Sequence, residues 1–435
     1  MKDNGKQVEA NALRDNTRNI PKFPPNVRIF SLSFSFFAAA GLMFFAAMLL
    51  GVAFAPELIR AGFRSPAGWM LSHMMILGFA TMLAMGASMQ IVQVLLHVHL
   101  FSRMLGFAQF AVYAIGLAIL LPSYYIGSFV GIGVGGSIVT AAVLLYVFNL
   151  AATFARGRTW NVYVCGVLLS LLALLMTVGL GIAMGVVGGS GTGVQWYGRL
   201  FVSHLWFGLG GWMSGLIIAF SFKLLPMFYV SPHKAGASGW WIVGLFQAGI
   251  WLKAASVAVQ ADGLRLLSAG CLLAAMALFL RFMRLVKKKA KPLRGTIPVV
   301  AGMNAAVAAL FGVWLVGREI WPTAARMAAW TEALVVFLVA GWFAAGILGY
   351  MARIVPFLWW AYRFHTVWQK KSKVLLSNMV PERRMGVELW MFCAAVGVTA
   401  VSIGLAWPPG AVIGQAAALI TAVVYVIDLS KVFRY

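Results

Sequence analysis

The chain has 435 residues, of which 62% are hydrophobic and 10% charged, and its formal net charge is +24. A composition so poor in charge cannot clothe a water-soluble surface, so the chain reads as an integral membrane protein rather than a soluble enzyme. The excess of Lys and Arg would invite a nucleic-acid reading, but it is confined to the segments between apolar runs, which excludes that partner and points to lipid headgroups.

In chain order, a basic polar tail over 1–26 comes first, with Lys2, Lys6, Arg14, Arg18 and Lys22. A single membrane domain over 27–435 follows. A bilayer-spanning helix needs about 20 apolar residues. Twelve runs meet that length, near 28–54, 67–98, 104–126, 128–153, 159–188, 198–229, 238–259, 263–286, 297–317, 327–361, 386–406 and 409–430. No small-residue cleavage site follows the first run, so it reads as a retained span. Alternating strands are absent, which leaves an all-α membrane fold. The basic clusters (281–295, 362–373, 381–384 and the C-terminus) alternate with short, nearly uncharged loops such as "VVGGSGTGVQ" and "AWPPG". By the positive-inside rule both termini are cytoplasmic, in a bacterial cytoplasmic membrane.

One pattern recurs in the second, sixth and tenth runs. Gly78-Phe79, Gly211-Trp212 and Gly341-Trp342 are each followed by ten residues and then by Gln90-Ile-Val-Gln93, Lys223-Leu-Leu-Pro226 and Arg353-Ile-Val-Pro356. The aromatic residues are 133 and 130 residues apart. This predicts three four-helix repeats, about 27–155, 156–290 and 291–435, related by a pseudo-threefold axis along the membrane normal. At 1.5 Å per residue Lys223 lies roughly 28 Å from His204, so the Gln/Lys/Arg tier sits at the cytoplasmic boundary, where long basic side chains snorkel. A site of proton or ion uptake is the alternative reading of that tier.

The histidines at the other ends of these helices carry the chemistry. His73 and His204 lie in apolar surroundings, six and eight residues before the shared aromatic. Two residues amount to about 200° of helix rotation, so in regular helices they face opposite ways and serve two sites. Glu332, ten residues before Trp342, falls about 40° from the His73 phase. A mixed site of His73, His204 and Glu332 is one reading; a protonated Glu332, or one paired with Arg326, is the other. For each histidine the alternative is a neutral imidazole hydrogen-bonded to a carbonyl or hydroxyl. His97 and His99 fall at the inner end of the second helix, where a His-x-His pair diverges; with His233 and His365 they read as headgroup-level polar residues. Cys165, Cys271 and Cys393 are isolated in separate spans and read as packing residues. The glycine run over 127–137 has no phosphate-loop Lys-Ser/Thr and predicts close helix packing. Trp240, Trp241, Trp359, Trp360 and Tyr362 read as interfacial belts.

Twelve helices in three quartets, with histidines early in helices 2 and 6, resemble subunit I of the haem-copper oxidase superfamily, in its nitric-oxide-reductase-like and subunit-I-like bacterial branches. The segments "HMMILGFATMLAMGASMQIVQVLL", "GGWMSGLIIAFSFKLLPMF" and "AGWFAAGILGYMARIVPFLWW" carry the resemblance. It implies a haem ligand at His73 and a copper ligand at His204, with haem b or copper, or both, as cofactors and a respiratory subunit or electron donor as partner. The sequence departs from the family on helix 10, which has Leu334 and Val336 where haem-ligating histidines are expected, and on helix 7, which has no histidine. Aliphatic side chains cannot ligate haem iron or copper. The expected function is therefore an accessory role in respiration or nitric oxide chemistry at a degenerate haem or copper site, or one that holds no cofactor, rather than full oxygen reduction. A transporter or channel, and a non-catalytic scaffold of a respiratory complex, stand as alternatives.

Overall fold

The computed structural model describes residues 27–96, 98–158, 160–290, 294–320, 326–363, 374 and 378–435. Among these, twelve helices are long and apolar enough to cross a membrane. They are α1 (Ser31–Ala61), α2 (Pro66–Gln93), α3 (Arg103–Ile126), α4 (Phe129–Gly157), α5 (Val162–Ser190) and α6 (Val194–Phe228). The second half comprises α7 (Gly236–Val259), α8 (Asp262–Lys288), α9 (Thr296–Gly317), α10 (Ala328–Arg363), α11 (Glu382–Gly404) and α12 (Pro408–Arg434). The basic tail over 1–26, His97, His365 and the side chain of Arg326 lie outside the described residues.

Polar caps start several of these helices, because orphan N–H groups are costly where water is scarce. Ser65 before Pro66, Ser102, Ser128 and Asn161 each accept a backbone N–H of the first turn of α2, α3, α4 and α5. Gly127 and Gly191, with φ of 69° and 68°, end α3 and α5 in the left-handed conformation that glycine adopts without a Cβ clash.

The packing is a closed ring. Helices pair as α1/α2, α3/α4, α5/α6, α7/α8, α9/α10 and α11/α12, and further contacts join α4 to α5, α8 to α9 and α12 back to α1. Within the ring, α2 and α6 are the most buried, at 78% and 72% of their apolar windows. The helices α10 and α11 follow at 61% each, and the others lie between 28% and 44%, as lipid-facing helices should. Each of α2, α6 and α10 changes to a π-helical pitch in mid-membrane, over Met74–Thr81, Trp206–Ser214 and Phe337–Phe343. Each π stretch contains one of the glycine-aromatic pairs. The wider turn disturbs the carbonyl ladder, and side chains compensate: Tyr113 donates to the Leu77 carbonyl (3.1 Å), Ser214 to that of Leu209 (2.7 Å) and Gln247 to that of Gly211 (3.3 Å). The three stretches meet at the centre. Those of α2 and α6 both touch that of α10, and Trp212 Nε1 donates to Thr81 Oγ1 at 3.0 Å.

At the opposite ends of these helices Lys223 is exposed, as snorkelling requires, whereas Arg353 pairs with Glu382 at 2.7 Å. A buried ion cluster ties α11 to α12, with Arg384 Nε 2.8 Å from Glu388 Oε1 and Lys431 Nζ 2.6 Å from Asp428 Oδ1. His99 is exposed just beyond the end of α2, and His233 is half-buried between α6 and α7. Cys393 is buried, Cys165 and Cys271 are half-buried, and all three are free thiols. Trp240 and Trp241 are exposed, as a belt residue should be, but Trp360 is tucked inward and donates to the Val374 carbonyl at 3.2 Å.

Candidate functional site

The largest cavity, about 960 Å³, lies among α2, α3, α4, α5, α6 and the start of α10, and both His73 and His204 face it. This overturns the expectation of opposite faces. The phase count ran from each histidine to an aromatic lying inside a π stretch, where the rotation per residue is not that of an α-helix. With the real pitch the two imidazoles lie on one cavity, their ring centroids 6.4 Å apart.

Each imidazole is oriented by a backbone carbonyl. His73 Nδ1 lies 2.8 Å from the Trp69 carbonyl one turn earlier, and His204 Nδ1 lies 2.9 Å from the Thr177 carbonyl on α5. A carbonyl can only accept, so both Nδ1 atoms carry the proton and the neutral rings present their lone pairs at Nε2. That tautomer is the one second-shell carbonyls impose on metal-ligating histidines. At His73 the Nε2 lone pair meets the Tyr124 hydroxyl at 3.2 Å, and the Tyr124 ring stacks on the imidazole with centroids 4.3 Å apart. The hydrogen-bonded neutral histidine anticipated for His73 is thus present, with both a carbonyl and a hydroxyl.

Glu332 reaches the same cavity from α10. Its carboxylate accepts the Phe63 backbone N–H, and Arg64 lies close by. The α1–α2 turn makes this possible, since Gly62 (φ +74°) leaves room for the carboxylate. Arg64 in turn lies over the Phe201 ring, 4.6 Å from its centroid. At the floor, Trp212 is fully buried, bonded to Thr81 and set edge-on against Tyr146. Wall space comes from glycine. A Cβ at Gly133 or Gly136 would meet nothing within 4 Å, whereas one at Gly135 would meet Leu120 N at 2.6 Å. The glycine run therefore does two jobs: Gly135 lets α4 pack on α3 as expected, and Gly133 and Gly136 hollow out the cavity.

The donor set discriminates between metal groups. Among the described residues no three His, Cys, Asp or Glu side chains converge on one point, so neither a three-ligand copper centre nor the mixed site of His73, His204 and Glu332 fits. A group taking one or two imidazoles fits. Two metal–nitrogen bonds of about 2 Å each, plus the distance from nitrogen to centroid in each ring, come to roughly 6 Å, close to the observed separation. The volume is at the upper end of the range for organic ligand sites and far exceeds the needs of a bare ion.

Tyr124, Thr177, Trp69 and Arg64 were not singled out from sequence. Tyr124 in "LPSYYIG" looks like an interfacial tyrosine, and a carbonyl that orients a side chain 27 residues away leaves no mark in composition. No protein-family model matches the chain, and no curated protein matches it. Fold and site define an all-α, multi-pass membrane protein with a two-histidine chamber between its helices.

Proposed function

We propose that this chamber binds haem through His73 and His204, in a twelve-helix protein built as three quartets about a pseudo-threefold axis like haem-copper oxidase subunit I. The observation that carries the reading is the pair of imidazoles facing one large apolar chamber, each locked by a backbone carbonyl into the tautomer with Nε2 free for iron. The π stretch in each of the three buried helices, at the glycine-aromatic pair, supports the quartet repeat, as does the joining of the last helix of each quartet to the first of the next. The orientation follows the positive-inside rule, with both termini in the bacterial cytoplasm and the chamber in the outer half.

The chain's own residues do the following. Trp69 and Thr177 carbonyls hold the imidazoles against rotation, and Tyr124 occupies the His73 lone pair until a ligand displaces it. Trp212 and Thr81 close the floor towards the inner half, and Arg64 offers a positive charge at the outer end. Haem, when bound, supplies electron transfer or diatomic-gas binding at its iron. With no third ligand for an adjacent copper, the role proposed is accessory to respiration or nitric oxide chemistry, alongside an electron donor or respiratory subunit, and not oxygen reduction at a binuclear centre. The closed floor weighs against a continuous transport path.

The test is the optical spectrum and metal content of protein purified after haem-replete expression. A dithionite-reduced Soret band is expected, lost or strongly shifted in both His73→Ala and His204→Ala. Absence of haem and of any transition metal from the wild type would refute the reading and return the transporter and scaffold alternatives.

A further inference from the structure

The chamber has a second opening, sideways into the apolar part of the membrane. Phe129, Gly133 and Ser137 on α4, and Ile182, Gly185 and Val186 on α5, all line it. Five of the six are also exposed on the outside of the ring, Phe129 to 43%, Ile182 to 37% and Val186 to 61%. Phe129 and Ser137 are eight residues apart, as are Ile182 and Ser190 at the end of α5, so the exposed stretch runs roughly 12 Å down each helix. Its outer end is covered, because the Phe129 ring lies against the position of Gly188. Below that cover the two helices are held apart by missing side chains: Gly133 and Gly136 face open space, and a Cβ at Gly185 would reach only Ile132, at 4.0 Å. Exposed positions on the same helices, Val130, Val134 and Leu144 on α4 and Leu172 on α5, are uniformly apolar, so lipid tails and not water lie outside the slot.

From this geometry we infer that the slot between α4 and α5 is a lateral portal through which a membrane-dissolved ligand, with an apolar body and one hydrogen-bonding end, reaches His73 and His204 from the outer leaflet. The portal leads straight to the pair. His204 packs beside Gly181, whose Cβ position is 3.4 Å from His204 Cε1, one turn below Gly185. A lipophile entering here leaves its tail among Ile132, Ile182 and the glycines and brings its polar end to the Nε2 atoms and the Tyr124 hydroxyl. Such a path avoids the desolvation that a polar solute would suffer, and it concentrates the ligand by partition into lipid. The inference rests on the cavity being a ligand chamber, as proposed above, but not on haem being the group at His73.

The portal is tested by photolabelling in phosphatidylcholine vesicles with adamantyl diazirine, a small probe that dissolves in the acyl region, and mapping labelled residues by mass spectrometry. Both wild type and His73→Ala are labelled, so that a cofactor resident in the wild-type chamber cannot mask the result. Labelling of the inner face of α6 around Leu205 and Gly208 is expected, alongside Leu144 and Leu172 as lipid-facing controls. In Gly133→Trp, and separately in Ser137→Trp, the α6 label should fall to background while the controls keep theirs. Label confined to outward faces in both proteins, or α6 label that persists in both tryptophan variants, overturns the portal. Neither result depends on a Soret band, so failure of the portal and failure of the haem reading are separable.

Discussion

At the scale of single residues, the chamber is governed by hydrogen-bond direction. His73 is the sharper case, because Tyr124 and a ligand compete for the same lone pair. A hydrogen bond of this kind contributes about 0.5–1.5 kcal/mol net. Tyr124→Phe should therefore tighten haem or metal binding by about 2- to 10-fold, read by titration of the ligand-free protein. Weaker binding in that variant would mean that Tyr124 contacts the ligand instead of competing with it. Glycine positions divide in the same residue-by-residue way. Gly135→Leu forces a side chain into the backbone of α3 and should cost about 1–3 kcal/mol, seen as a lower Tm in detergent. Gly133→Leu, which meets open space, should stay within about 0.5 kcal/mol of wild type.

At the scale of elements, the π stretches decide which way the functional side chains face. An i→i+5 ladder holds one residue more than the α-helical ladder would. Deleting one residue from Trp206–Ser214 should restore regular pitch and turn His204 by about 100° relative to the inner half of α6. The expected outcome is loss of the His204-dependent absorbance in a protein that still elutes as a single folded species in gel filtration. Retention of the absorbance would show that the site does not rely on the π geometry. The regular-helix assumption explains why the sequence reading separated His73 from His204. It counted phase correctly for an α-helix, and the helices are not α-helical there. The glycine-aromatic pairs marked the places, and only their consequence was hidden.

For the whole molecule, the ring places α2, α6 and α10 inside and leaves their partners to meet lipid. The orientation in the membrane follows from loop charge and has a direct check. Thr192→Cys, in the α5–α6 loop, should react with a membrane-impermeant maleimide in intact cells, whereas a cysteine at Lys289, after α8, should react only once the cells are opened. The reverse pattern would invert the topology and move the chamber to the cytoplasmic half. The span limits read from hydropathy agree with the helices to within a few residues at most ends, and the three motif-bearing helices are among the four most buried. What the sequence reading left out at this scale is the cavity itself, because a void is made by side chains that are missing from several helices at once.

Sequence by itself determined the class of the protein, its twelve spans, the three marked helices and the residues with metal-binding chemistry. These depend on local quantities: apolar length, loop charge and motif spacing are all written along one stretch of chain. Tertiary structure alone decided that His73 and His204 share one chamber, that carbonyls of Trp69 and Thr177 select their tautomer, that Glu332 answers to Phe63 and Arg64, and that the wall opens towards lipid between α4 and α5. Each of these depends on helix pitch and on contacts between separate spans. A shift of one residue in a π turn reverses a face, and no periodicity count along the chain registers it.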